Sequence, residues 1–417
     1  MYFLYNLFLP LFLTILSPAI IYKLFRDKSY RECIGQRFSL IDNSILSDLA
    51  GESPVWFHAS SVGEVNASVK LLSELRKKWP HKKLIVSTFT PTGRKAALEK
   101  LDADAVIFLP IDLPFIVKST INKINPELLI LMETEIWPNL IRECGNRNVP
   151  VVVVNGRISD KSFGKYRRLK SLIKEVLSYV SLILSQSEES RDRFVSLGAN
   201  EERVFSTGNL KIDMTVKKRS IKALEEWGGP ILIAGSTRDE EEEKVLSAYM
   251  EARKKCKVLK LILAPRHLPR AGEVERLLTE KCIDFKKFSE LKDSIGTDVL
   301  LVDVLGELSS LYNYGDVVFV GGSLVPLGGQ NMLEPALCGK PVLFGPHVEN
   351  FRVAARILIE GGGAIMVENK DELAETIIKL LDNARLKGSM GDKAKVSVLK
   401  HSGATEKTIN ALARFLH

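Results

Sequence analysis

The sequence predicts an α/β protein with two doubly wound, Rossmann-like parallel-sheet domains, and three observations carry that prediction. Short apolar runs rich in β-branched residues alternate with helical patterns along most of the chain, the pattern of parallel strands joined by crossover helices. The runs form two series, split by a charged, irregular stretch over residues 209–229. The length, 417 residues, exceeds what a single core usually serves. The expected organisation is a membrane anchor at 1–22, a first domain at 23–213, a hinge at 214–228 and a second domain at 229–417. The two domains would face each other over a cleft, and the last helix is free to pack back on the first.

Residues 1–22, MYFLYNLFLPLFLTILSPAIIY, carry no charged side chain. As a helix they would extend ~33 Å, enough to cross a hydrocarbon core. Pro10 and Pro18 would kink it, so a shallow or re-entrant seat is an alternative to a full span. No basic region precedes the run and no small-residue cleavage site follows, which argues against a signal peptide. Lys23, Arg26, Lys28, Arg31 and Arg37 follow against Asp27 and Glu32, a flank expected to stay cytoplasmic.

After a polar linker at 41–53, strands are expected at Val55 to His58, Leu84 to Thr88, Ala105 to Leu109, Leu128 to Met132, Val151 to Asn155 and Leu182 to Ser185. His58-Ala-Ser-Ser-Val-Gly-Glu64 leaves the first strand and enters a helix. That placement sets Glu64 at a helix N-terminus on the carboxyl edge of the sheet. The helix dipole is expected to keep it ionised, as a general base requires; a plain capping role is the alternative. Met132-Glu-Thr-Glu-Ile-Trp-Pro-Asn139 puts two acids directly after an apolar run, a costly placement unless they bind something. If the strand continues, Glu133 and Glu135 point to opposite sides, with Glu133 favoured for the cleft. Thr88 to Arg94 is a hydroxyl-rich loop suited to an acceptor's hydroxyl or phosphate groups, or to capping. Asp102-Ala-Asp104 precedes a strand instead of following one, so metal binding there is not expected. Lys211, just before the hinge, is either a fixed cation in the cleft or a solvated surface lysine.

The second series runs through Ile231 to Ala234, Leu259 to Leu263, Val299 to Val302, Val317 to Val320 and Pro341 to Phe344. Gly235-Ser-Thr-Arg238 repeats the strand–loop–helix pattern. Arg266 and His267 follow the next strand and suit a phosphate or carboxylate. Gly306, Glu307 and Leu308 open a helix whose backbone N–H groups can hold a base or phosphate. Gly321, Gly322 and Ser323 leave a buried strand where a ligand can approach the backbone closely. A second glycine pair, Gly328 and Gly329, precedes a helical run containing Asn331, Met332, Leu333 and Glu334. Its first N–H groups favour an anion, and Glu334 can accept from sugar hydroxyls.

Net charge is +8 and the pI about 9.0, which points to anionic partners such as acidic lipid or an anionic substrate. No Lys/Arg-rich block interleaves with aromatics, so nucleic acid is not expected. The five cysteines are scattered without C-x-x-C spacing, and the six histidines form no metal-binding pair. No metal or cofactor is predicted.

Taken in order, ASSVGE, TFTPTGR, METEIWPN, APRH, GEL and GGSLVPLGGQNMLEPA resemble the bacterial 3-deoxy-D-manno-octulosonic acid (Kdo) transferases of lipopolysaccharide synthesis. The resemblance runs from the N-terminus to about residue 350. It implies a GT-B fold and metal-independent, inverting transfer of Kdo from CMP-Kdo to a lipid A precursor, lipid IVA, at the cytoplasmic face of the inner membrane. It also implies Glu64 as proton acceptor, Glu133 and Lys211 as transition-state stabilisers, and CMP contacts at Arg266, His267, 306–308 and 331–334. Gln330 stands where family members commonly carry His, and several have a basic residue near Pro326; these departures touch fine donor contacts. Two rivals are a nucleotide-sugar 2-epimerase, which needs no membrane segment, and a non-catalytic membrane adaptor, which needs no base. CMP released strictly with lipid acceptor separates the transferase from both.

Overall fold

The structure is a computed structural model that describes residues 1–26, 28–46, 49, 51–213, 216, 219–292 and 294–416. For residues 16, 19–21, 23–25, 28–30, 32, 43 and 44 it describes the backbone alone. Two compact units emerge: residues 1–214 with 402–417, and residues 215–401. Met214, Thr215, Lys217 and Lys218 of the expected hinge lie outside the described residues.

The first unit holds β1 (Val55–His58), β2 (Leu84–Thr88), β3 (Ala105–Phe108), β4 (Leu128–Met132), β5 (Val151–Gly156), β6 (Leu182–Ser185) and β7 (Val204–Ser206). They form one parallel sheet in the order β3-β2-β1-β4-β5-β6-β7. The order reverses between β1 and β4, so the carboxyl ends of these neighbours open onto the crevice where such sheets bind ligands. Trp56, Phe57, Leu129 and Ile130 are fully buried between helical layers, each contributing about 1.5–3 kcal/mol of hydrophobic stabilisation. The final helix, Ala404–Leu412, joins this unit: Ala404, Ile409 and Leu412 share a core with Leu71 and Leu75. Asp213 holds its start by accepting from Gly403 N at 2.6 Å and from Thr405 N.

The first helix, Tyr2–Arg26, rests one side on the first unit. Tyr2 Oη donates to Pro138 O at 2.8 Å and Tyr5 Oη to Asp112 at 2.9 Å. Phe3, Leu7, Phe8, Leu11, Phe12 and Ile15 are exposed. Among the described residues no helix is long and apolar enough to cross a membrane. The expected polar linker also differs: Ile41 and Leu49 are buried in the core with Trp56, so those apolar side chains tie the segment to the sheet.

The second unit holds β8 (Ile231–Thr237), β9 (Lys260–Pro265), β10 (Phe285–Lys287), β11 (Val299–Leu301), β12 (Val317–Val320), β13 (Val342–Phe344) and β14 (Ala364–Met366). Their order, β10-β11-β9-β8-β12-β13-β14, puts the reversal between β8 and β12. Three short strands were not expected: β7, β10 and β14. At three residues each they carry too little periodicity to read, and pairing with a neighbour defines them.

Candidate active site

Glu64 sits in the first turn of the helix Val62–Lys78, which Ser61 caps. Its two carboxylate oxygens accept from Ser60 N at 2.8 Å and Ser61 Oγ at 3.0 Å. Capping and candidate base are therefore the same group. The expectation of a fully ionised carboxylate needs correcting. Burial pushes the Glu64 pKa up to about 7, the Ser60 N–H opposes this, and the Glu135 and Glu133 charges raise it further. Desolvation of a carboxylate that is 8% exposed outweighs the local donors and dipole.

Glu133 and Glu135 also differ from the alternating-strand expectation. β4 stops at Met132, and Glu133 turns into the left-handed region at φ 58°, so period-2 alternation ends there. Glu133 Oε1 accepts from Lys211 Nζ at 2.8 Å. Glu135 Oε2 accepts from Trp137 Nε1 at 3.0 Å and lies 3.6 Å from His58 Nε2. Both acids act electrostatically on Glu64, Glu135 more strongly. The structure thus gathers Glu64, Glu133 and Lys211, and adds Glu135 and His58.

Lys211 is placed by a residue the sequence reading passed over. Asn155, fully buried and at φ 53°, accepts from Leu210 N at 3.0 Å. The Asn-Gly pair closing β5 was the available signal, since Asn tolerates this backbone and can bond neighbouring N–H groups. Beside Glu64, Phe89 N and Thr90 N donate to Ser60 O at 3.1 and 3.2 Å. Phe89 stacks on Trp137 with ring centroids 5.6 Å apart, and the Arg37 guanidinium lies 4.3 Å from the Phe89 centroid. Trp137, in turn, donates to Glu135, so this aromatic pair links a cation and a carboxylate. Asp104 is structural: it accepts from Arg76 Nη2 at 2.7 Å and Leu84 N at 2.8 Å. Among the described residues no group of three or more His, Cys, Asp or Glu could hold a metal.

In the second unit, cations gather past the carboxyl ends of β8 and β9. Arg238 Nη1 lies 2.7 Å from His267 Nε2. Burial and then Arg238, Arg266 and Arg270 hold the His267 pKa below its usual range. Arg238 was not among the expected contacts, although Arg in a strand–loop–helix turn was a readable signal. Glu307 pairs with Arg219 at 2.8 Å; Gly306 has φ 87°, and the helix after it spans Leu308–Leu311. Asn331 Oδ1 accepts from Leu333 N at 3.1 Å and Asn331 Nδ2 donates to Glu334 at 3.0 Å. Met332 and Leu333 are buried beneath them.

The first glycine loop is braced from within. Gly322 N donates to Glu241 Oε2 at 2.6 Å, while Ser323 N and Leu324 N donate to Oε1 at 3.0 and 2.9 Å. Gly321 N donates to Gly235 O at 2.8 Å. These N–H groups are committed, so Gly321, Gly322 and Ser323 offer close backbone approach and not donors. A Cβ on Gly321 would lie 2.5 Å from Thr237 Cα, which is why glycine stands there.

The family model of the 3-deoxy-D-manno-octulosonic-acid transferases (kdotransferases) matches residues 32–214. The chain is 34% identical over 402 residues to the 3-deoxy-D-manno-octulosonic acid transferase of Haemophilus influenzae, covering 94% of this chain and 93% of that one. It is 36% identical over 386 residues to a bifunctional glycosyltransferase/methyltransferase of Fusobacterium nucleatum, covering 89% of this chain. It spans 58% of that relative's length. Among solved structures, the UDP-GlcNAc 2-epimerase from Neisseria meningitidis bound to UDP-GlcNAc aligns over 87% of this chain and 100% of its own, at TM-score 0.58 and 12% identity. At that identity the likeness is one of fold.

Proposed function

The chain belongs to the 3-deoxy-D-manno-octulosonic acid transferase family, and from that premise we propose that it is an inverting glycosyltransferase moving Kdo from CMP-Kdo to a lipid A precursor, lipid IVA. The observation that carries this reading is Glu64: a buried carboxyl with a pKa of about 7, beside a carboxylate–lysine pair. A general base works best when its pKa lies near the working pH. Glu64 takes the proton of an acceptor glucosamine hydroxyl as that oxygen bonds to the Kdo anomeric carbon. The bond from that carbon to the CMP phosphate oxygen breaks, and CMP leaves with the electron pair. A single displacement inverts the centre. Kdo brings its own carboxylate beside the leaving phosphate, so cations are needed; Lys211 with Glu133, and Arg266 with Arg238 and His267, are the groups suited to offset that charge.

The first helix supports a place at the cytoplasmic face of the inner membrane. Its exposed Phe3, Leu7, Phe8, Leu11, Phe12 and Ile15 are suited to an apolar boundary while Tyr2 and Tyr5 hold the first unit. Confining enzyme and amphiphilic acceptor to one surface raises their effective concentration.

The test is incubation of purified protein with CMP-Kdo and a tetraacylated lipid A precursor, with the lipid product weighed by mass spectrometry. A mass gain of one or more Kdo units, lost in Glu64→Ala while CMP still binds, supports the reading. No gain with folded, membrane-associated protein, or CMP release without acceptor, overturns it.

A further inference from the structure

Next to the acids that act on Glu64 lies a buried titratable group that the mechanism above does not use. His58 ends β1 and is fully buried. Its Nδ1 lies 3.0 Å from both Ser87 O and Ser87 Oγ, and Ser87 Oγ accepts from Trp56 Nε1 at 2.8 Å. Its Nε2 makes no hydrogen bond and faces Glu135 Oε2 at 3.6 Å. The ring meets Trp137 edge-on, centroids 6.5 Å apart.

Two assignments satisfy Nδ1. In one, Ser87 Oγ–H donates to it, which puts the ring proton on Nε2. In the other, Nδ1–H donates to the Ser87 carbonyl. A neutral ring would then turn a desolvated lone pair toward a carboxylate, a repulsive contact relieved by a proton between the two. The first assignment avoids that contact and aims an Nε2 proton at Glu135.

We infer that His58 is a positioning residue for the transfer: its Nε2 proton holds Glu135, and with it Trp137, beside Glu64 and limits the negative charge that Glu64 faces. The inference rests on Glu64 being the base. The other charged or titratable groups around the couple are Glu64 on the helix Val62–Lys78, Glu133 with Lys211, and Tyr166 on the helix Asp160–Arg168, whose hydroxyl is pushed up by burial and then by Glu135. Glu135 ranks ahead of Glu133 among the charges acting on Glu64, so the state of Glu135 matters most.

Two measurements test this. With six histidines in the chain, long-range ¹H–¹⁵N spectra of histidine-labelled protein, assigned by the signal lost in His58→Gln, report the ring state directly. A protonated Nε2 at pH 8 is expected; a bare Nε2 overturns the inference. In kinetics, His58→Asn keeps the Ser87 contact but cannot reach Glu135. Its kcat at pH 7 is expected to fall about tenfold and its acid limb to move to higher pH, while Glu135→Gln moves the limb to lower pH. Limbs that stay at the wild-type position in both variants overturn the inference whatever the rate loss. Wild-type turnover in Glu64→Gln would instead sink the base reading, and the spectra would still decide whether His58 holds the proton.

Discussion

Lys211 Nζ stands 2.8 Å from Glu133 Oε1 across 78 positions of sequence, and Glu133 is, after Glu135, a charge that raises the Glu64 pKa. The lysine is 41% exposed and the carboxylate 21%, so solvent screens the contact and its share of stability is small. Its weight falls on the chemistry. Lys211→Met leaves Glu133 unneutralised beside Glu64; turnover is expected to drop by on the order of 10²–10³ and the acid limb of kcat to move to higher pH. Steady-state kinetics from pH 5 to 9 reads both.

Glu64 gives a pH dependence of defined sign. A base with a pKa of about 7 makes the rate rise with pH through that value, and Glu64→Gln is expected to cost 10²–10⁴ in kcat, on the order of a lost general base. Stability runs the other way. The folded pKa lies above the ordinary glutamate value of 4.5, so folding costs nothing from this group below about pH 4.5, and the cost grows until pH passes about 7. Glu64→Gln is therefore expected to be more stable than wild type at pH 8 by up to about 3 kcal/mol, with the gap closing at pH 4. Urea melts at the two pH values check it.

Glu241 is fully buried and accepts four backbone N–H groups, from Arg238, Gly322, Ser323 and Leu324. Burial pushes its pKa up while these donors pull it down. Glu241→Ala orphans all four donors, so a loss of at least about 3 kcal/mol is expected, together with weaker binding of CMP. Denaturant melts and titration calorimetry with CMP measure the two effects. Binding at wild-type strength in the folded variant would show that the brace does not shape the donor loop.

Glu240 precedes the helix Glu241–Lys255 at φ 62° without a side-chain cap bond. This backbone strains any side chain and suits glycine. Glu240→Gly is expected to stabilise the protein by about 0.5–1 kcal/mol without changing turnover; thermal melts decide, and destabilisation would contradict it.

Asp112 is 3% exposed and accepts from Asn139 N and Leu140 N at 2.9 Å and from Tyr5 Oη at 2.9 Å. Burial, against these donors, raises its pKa to about 6. Tyr5→Phe removes the one bond to the first helix and keeps the other two. Faster hydrogen exchange over Tyr2–Arg26 is expected, with the core unchanged. Unaltered exchange there would show that the helix is held by Tyr2, by Asn6, whose Oδ1 accepts from Asn139 Nδ2 at 2.6 Å, and by apolar contact.

Much of the fold was legible because its signals are local. β1, β2, β4, β6 and β12 sit where short apolar runs were read, and the edges of the other expected strands moved by one to three residues. The candidate site was legible as a set of strand ends, since ligand groups in a parallel sheet collect at carboxyl edges. Its internal state was not. The sequence places Glu64 at a helix start, where the dipole argues for ionisation, yet burial under neighbours from β1, β2 and β4 decides the matter.

From the sequence alone came two strand series and the residue types waiting past the strand ends, Glu64, Glu133, Arg266 and His267, with Lys211 just before the hinge. Periodicity and punctuation are properties of adjacent residues, so one chain displays them. Tertiary structure alone decided that Glu133 leaves the strand in a left-handed turn, that Glu135 meets His58, and that Glu241 occupies the N–H groups of the first glycine loop. Each of these depends on desolvation and pairing between groups far apart in sequence, as with Glu241 and Gly322 across 81 positions, and no local pattern encodes which partner arrives.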